Sequence, residues 1–188
     1  MTLATSKHDV GGKSRLAWPA DSTVTALFSE CQQYRYQLLE VWDKNKPLVL
    51  WLLMNPCVAR TEFIDPTLRK RGKFSRFWDY GELLVGNVHA YHATDKNWLL
   101  EVVDPVGPEN DRMMLEMTNQ AQIIVLAYGP PPKALRQQGA AVVALLSHHE
   151  GISHLELAKD GTPKHFLYLP DHLRPQPHRL IAKEKKHV

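Results

Sequence analysis

The sequence predicts an α/β domain: a three-layer sandwich with a mainly parallel central sheet and an N-terminal β-hairpin. Three observations carry that reading. Continuous apolar runs at Leu48–Met54, Leu83–Val88 and Ile123–Tyr128 suit strands covered on both faces. Helical patterns at Pro66–Tyr80, Asn110–Gln120 and Lys133–His148 separate or follow them, and such alternation implies right-handed crossovers. Ahead of these runs, Val24–Phe28 and Tyr34–Trp42 flank a polar turn at Glu30–Gln33, as in a hairpin; a helix through Gln33–Trp42 is the alternative.

Each element has a local reason. Residues 1–21 show no periodicity and read as a flexible lead, 22–180 as one domain, and 181–188 as a basic tail. Pro66 suits a first helical turn, Asp65 its N-cap, and Gly81 its stop. Asp95 can cap a short helix running through Val103, and "DPVGPEND" is a turn-rich lead into the helix from Asn110. The third apolar run ends on Gly129-Pro130-Pro131-Pro132. Leu155–Ala158 and Phe166–Leu169 supply a fourth and fifth strand around the turn Lys159-Asp160-Gly161.

Composition narrows the function classes. An apolar fraction of 44% and a charged fraction of 23% are those of a globular domain, and 188 residues suit a single core. With no apolar leader and no run of roughly 20 apolar residues, a cytoplasmic protein with no membrane partner is expected. Cys31 and Cys57 form neither a disulfide framework nor a CxxC zinc motif. His89 and His92 make an HxxH without a third ligand nearby, so neither metal nor cofactor is expected.

The net charge of +3 is unevenly spread, and Arg69, Lys70, Arg71, Lys73 and Arg76 fall within eight residues without an acid among them. From Lys159 onward seven Lys/Arg, Arg174 included, face three acids. Such clusters suit a polyphosphate partner, because neutralised phosphates release counterions; a solvated helix face and a tail are the alternative. A monomer that binds double-stranded DNA is the expectation.

In an open α/β sheet, ligands bind beyond the carboxyl ends of the strands. The residues there are Asn55-Pro56-Cys57, then Asn87 with His89 and His92, then Gly129, then Pro163-Lys164-His165 or Asp171-His172. No GxSxG, GxxxxGK[ST] or GxGxxG occurs, which removes the usual support for an acyl hydrolase, a phosphate-loop NTPase or a dinucleotide enzyme. What remains is rich in amide and imidazole. An amide can read a base edge or hold a water, and an imidazole can stabilise a developing anion.

"YRYQLLEVW", "LLMNPCVAR", "DPTLRK", "NVHAYHATD", "DPVGPEND" and "DGTPKHFLYLP" together resemble a family of small prokaryotic and phage proteins catalogued as a domain of unknown function. In that family the first loop reads NPS; here Cys57 replaces the Ser and Val58-Ala59-Arg60 follows. The order of strand ends is also similar to the uracil-DNA glycosylase superfamily, some branches of which open their site with NPG. That resemblance implies a uracil-DNA-glycosylase-like fold and a monofunctional, metal-independent DNA glycosylase that extrudes its base. An antiphage enzyme removing a modified base, glucosylated hydroxymethylcytosine, is the functional match it suggests.

Carried over residue by residue, the resemblance implies that Asn55 orients the attacking water and Asn87 binds the extruded base. Either His165 or His172 would stabilise the departing base, with His165 preferred. Other residues keep two readings. Asp65 is an N-cap or a catalytic carboxylate, Phe74 is core or a base-stacking platform, and Asn110 is a helix start or a pocket residue. Arg69, Lys70, Arg71, Lys73, Arg76 and Arg174 are the expected phosphate contacts. A non-catalytic nucleic-acid-binding module and a nucleoside or nucleotide hydrolase stand as alternative functions.

Overall fold

Six consecutive apolar residues, Leu48–Leu53, form the strand on which the molecule is built, and five of them are fully enclosed. The computed structural model describes residues 16–56, 64–93 and 95–179. Its elements run β1 (Thr23–Phe28), β2 (Arg35–Val41), β3 (Leu48–Leu53), α1 (Pro66–Phe77), β4 (Glu82–Asn87), α2 (Asn110–Thr118), β5 (Ile123–Leu126), α3 (Arg136–Leu145), β6 (Ile152–His154) and β7 (Gln176–Pro177). All seven strands join one mixed sheet in the order β1-β2-β4-β3-β5-β6-β7.

The expectation of a mainly parallel sheet holds only for its centre. Strands β4, β3, β5 and β6 are mutually parallel, while β1–β2, β2–β4 and β6–β7 are antiparallel. The hairpin β1–β2 extends the sheet, because β2 can pair with β4 once β4 has been laid beside β3. Two expected strands are corrected. Phe166–Tyr168 is a 3₁₀ turn, and the strand before it is Ile152–His154, with Leu157 reduced to a single bridge to Pro163. Both misplaced runs carry apolar residues that the core accepts from a turn as readily as from a strand.

Other starts and stops follow local chemistry. Asp65 Oδ1 accepts the Leu68 N–H at 2.8 Å, capping α1, and Pro66 opens it. Asp95 accepts from Asn97 N–H at 2.8 Å and caps the 3₁₀ turn Lys96–Glu101. The segment expected as one helix from Lys133 begins as a 3₁₀ turn and becomes α-helical at Arg136. Leu16 exchanges backbone hydrogen bonds with Ile64, so the described end of the expected lead is tied to the domain. Cys57 through Arg60, most of the lead and the 181–188 tail lie outside the described residues.

Helices cover both faces. Leu68, Phe74 and Trp78 pack α1 against Trp51, Leu83 and Val85, while Met114, Met117, Val142 and Leu146 cover Leu50, Leu52, Leu84 and Ile124 on the other side. The chain leaves β3 toward β4 on one side, and β4 leads back across β3 to β5. A crevice therefore opens where the loops after β3 and β5 diverge, at the switch point of the parallel strands. Among the described residues no helix is long and apolar enough to cross a membrane.

Candidate functional site

A cleft of about 500 Å³ lies at that switch point, within the range of small-molecule sites. Asn55 enters it from the end of β3, Tyr128, Gly129 and Pro130 from the end of β5, and His165 from the loop before the last 3₁₀ turn. Thr67 and Leu68 of α1, Asp95, Lys96 and Arg35 complete the wall.

Asn55 is held by its amide nitrogen. Nδ2 donates to Ala93 O at 2.6 Å and to Pro56 O at 3.1 Å, which fixes the amide plane. The carbonyl Oδ1 is thereby the atom left for a ligand or water. Gly129 has φ +68°, a conformation that disfavours a side chain, and an added Cβ would come within 3.3 Å of His165 Cβ. Glycine therefore lets the loop after β5 lie directly against the histidine, and Gly129 N–H donates to Pro163 O at 3.0 Å.

The histidine is positioned from the core outward. Phe166 sits edge-on to Trp51 of β3 at 4.9 Å, and the His165 ring stacks on Phe166 at 4.7 Å. Lys70 of α1 clamps the following turn, donating to Leu167 O at 2.9 Å and Leu169 O at 2.5 Å and pairing with Asp171 at 3.1 Å. His165 Nδ1 accepts the Leu167 N–H at 3.3 Å, so Nε2 carries the proton of the neutral ring. Burial pushes the imidazole pKa down; Asp65 nearby pulls it up and Lys96 pushes it down. The neutral donor form is thus favoured at neutral pH.

Asn87 lies beside this wall. It pairs with Leu53, a cleft residue, and points to the α1 face, since the preceding Gly86 abuts Met114 and Met117 on the other. Its side chain is fully buried and neither its nitrogen nor its oxygen has a hydrogen-bond partner. Buried orphan amides are uncommon because the desolvation cost goes uncompensated, so this one calls for water or a ligand.

Several expected site residues go elsewhere. Asn110 is buried on α2 and donates to Asn87 O at 3.0 Å, bracing the end of β4 instead of lining the cleft. Phe74 is a core residue, in ring contact with Trp51, Trp78 and Phe166. His172 is exposed and is not part of the cleft wall. Asp65 performs its capping role within the buried wall of α1.

The basic segment divides by helical period. Arg71 is withdrawn from the phosphate contacts: it is 0% exposed and lies 3.6 Å from the equally buried Glu40 of β2. Lys70 is committed to the histidine loop, and Arg76 forks onto Asp21 at 2.8 and 3.0 Å while stacking on Trp42. Arg69 and Lys73 are exposed on the outer face. Arg174 is also exposed and covers the Phe77 ring.

Arg35 escapes a reading by periodicity. A charged residue in an alternating strand is expected on a wet face, but Leu27 pairs with Gln37 and Phe28 with Arg35, a register shift that inserts Tyr36 as a bulge. Tyr36 turns toward Met113 of α2, and Arg35 toward Leu68 of α1 and the cleft. The signal available in the sequence was only its position between two tyrosines. His89 is buried and bonded through Nε2 to Gln138, and among the described residues no group of three potential ligands could hold a metal ion.

The model of a family described as "Protein of unknown function (DUF1643)" matches residues 35–167. This span includes every residue of the cleft wall. No curated protein and no solved structure matches the chain.

Proposed function

The chain belongs to the DUF1643 family, and from that premise we propose that it is a monofunctional DNA glycosylase hydrolysing the bond between a modified base and its sugar. The observation that supports this reading most is the meeting of Asn55 and His165 in one cleft at the switch point, each held by a hydrogen bond to backbone. The similarity of the strand-end residues to the uracil-DNA glycosylase superfamily suggests a uracil-DNA-glycosylase-like arrangement and phage DNA as the source of the base.

The chemistry follows from those two groups. A base stacked in a duplex hides its glycosidic carbon, so the nucleotide is first extruded into the cleft. Asn55 Oδ1 accepts an O–H of water and directs its oxygen at the sugar carbon. As the C–N bond breaks, its electron pair remains with the base; the water oxygen bonds to the sugar carbon, and one water proton ends on the released base. His165 Nε2–H donates to the departing base while it carries negative charge. Asn87 supplies a donor and an acceptor for the base edge, and Arg69, Lys73 and Arg174 meet phosphates. The step uses no metal.

The test is alkaline cleavage at abasic sites. Plain DNA and DNA carrying glucosylated or hydroxymethylated cytosine are incubated with the protein in EDTA, then treated with alkali. Strand breaks confined to modified DNA are expected. A binding module would shift DNA without breaks, and a nucleoside hydrolase would release bases from nucleosides alone; either pattern removes the proposal.

A further inference from the structure

His154 closes β6 and His178 follows β7, and strand register brings them together. Ser153 pairs with Pro177 and His154 with Gln176, while the His178 N–H donates to Ile152 O at 2.8 Å. The two histidines are therefore diagonal neighbours on one face of an antiparallel pair, within reach of each other's long side chains. Their Nδ1 atoms face each other at 3.3 Å, and the rings meet edge-on with centres 5.2 Å apart. Both are half-buried, so the strands hold the rings while solvent still reaches them. Neither lines the cleft.

We propose that His154 and His178 chelate a divalent transition-metal ion of zinc's class through their Nδ1 atoms. Two imidazoles on a tetrahedral zinc, each bonded at about 2.0–2.1 Å, hold their nitrogens about 3.3 Å and their ring centres about 5.2 Å apart. Both distances are those of this pair. A straight hydrogen bond with the nitrogens at that separation would place the ring centres about 5.6 Å apart, and the square-planar bite of copper would draw the nitrogens in to about 2.8 Å. In the chelate both Nδ1 lone pairs point at the ion and each neutral ring keeps its proton on Nε2. Among the described residues no third His, Cys, Asp or Glu joins them, so two positions of the tetrahedron stay open to water or to an exogenous ligand. The ion clips β7, only two residues long, onto the edge of the sheet. It thereby fixes the far end of the segment that Trp78 anchors through Leu173 O at 2.9 Å. Base release, assayed in EDTA, is a separate property.

The experiment is calorimetric titration of the full chain, stripped with EDTA and dialysed, with Zn²⁺. Wild type should bind an ion that His154→Gln and His178→Gln each fail to bind, because glutamine keeps a polar side chain but removes the imidazole nitrogen. Zn²⁺ should also raise the unfolding midpoint of wild type more than that of either variant, since an ion that binds only the folded chain stabilises it. Long-range proton–nitrogen NMR gives a signature that a merely hydrogen-bonded pair lacks: Zn²⁺ should shift the Nδ1 resonances of His154 and His178 together and leave both rings protonated at Nε2. Equal Zn²⁺ stoichiometry in wild type and either variant, no heat at any Zn²⁺ concentration, or coordination through Nε2 would each overturn the proposal. Should a variant not fold, the wild-type spectra decide.

Discussion

On the α1 face the core is aromatic and carries polar anchors, whereas α2 and α3 cover their face with aliphatic side chains and methionines. Trp51 stacks on Trp78 at 5.3 Å, meets Phe166 edge-on, and donates from Nε1 to Ser75 Oγ at 3.0 Å. Rings with fixed contact geometry and a buried hydrogen bond leave few alternative packings. Met113, Met114 and Met117 do the reverse, since an unbranched thioether fills irregular space. The cleft opens on the aromatic face. Its histidine is the last member of a stack that begins in β3, so precision at the site is a property of that half of the core.

The largest expected effect would sharpen this contrast. Trp51→Ala should cost about 3–5 kcal/mol in denaturant unfolding. Met117→Leu, which conserves volume on the opposite face, should cost under about 1.5 kcal/mol and leave base release unchanged. Comparable losses from the two substitutions would erase the distinction between the faces.

Next in size is Asn55→Ala, expected to slow single-turnover base release by about 10²–10³, or roughly 3–4 kcal/mol of transition-state stabilisation, with DNA binding retained. Asn55→Asp keeps an oxygen able to hold water and should retain part of the rate. Full activity in a folded Asn55→Ala protein would leave Asn55 as a strand terminator latched to Ala93.

Acid should separate stability from activity. Burial lowers the pKa of His89, His154, His165 and His178 below the ordinary 6.5. The unfolded chain then takes up protons first as pH falls, so their contribution to stability is complete above about 6.5 and declines as pH drops from there toward the folded values. Base release should be flat above the same point and fall only at lower pH, as His165 itself protonates and loses its Nδ1 acceptor. A rate that rises on acidification through this range would assign the charged imidazole as the active form.

The smallest effect concerns the basic helix, where period divides equal charges into different roles. Arg69→Ala with Lys73→Ala should lower the salt slope of DNA binding by about two phosphate contacts without altering the unfolding midpoint much. Lys70→Met should instead reduce base release more than affinity, because its ammonium holds the turn after His165. An unchanged salt slope in the double variant would move the DNA interface away from α1.

Much of the architecture is determined by the sequence alone, because its signals are local. Apolar runs such as Leu48–Leu53 dictate buried strands, Asp65-Pro66 and Asp95 dictate caps, and the alternation of strands and helices dictates a sheet covered on both faces. Asn55 and Gly129 were legible as strand-end residues for the same reason. What only the tertiary structure decides depends on register and on partners distant in the chain. A one-residue bulge sends Arg35 into the cleft, helical phase places Arg71 against Glu40 while Lys73 faces solvent, and contact with Trp51 makes Phe166 a turn supporting His165. Periodicity reports which side of an element is buried; it does not report what lies across from it, and at this site the opposing group sets each side chain's role.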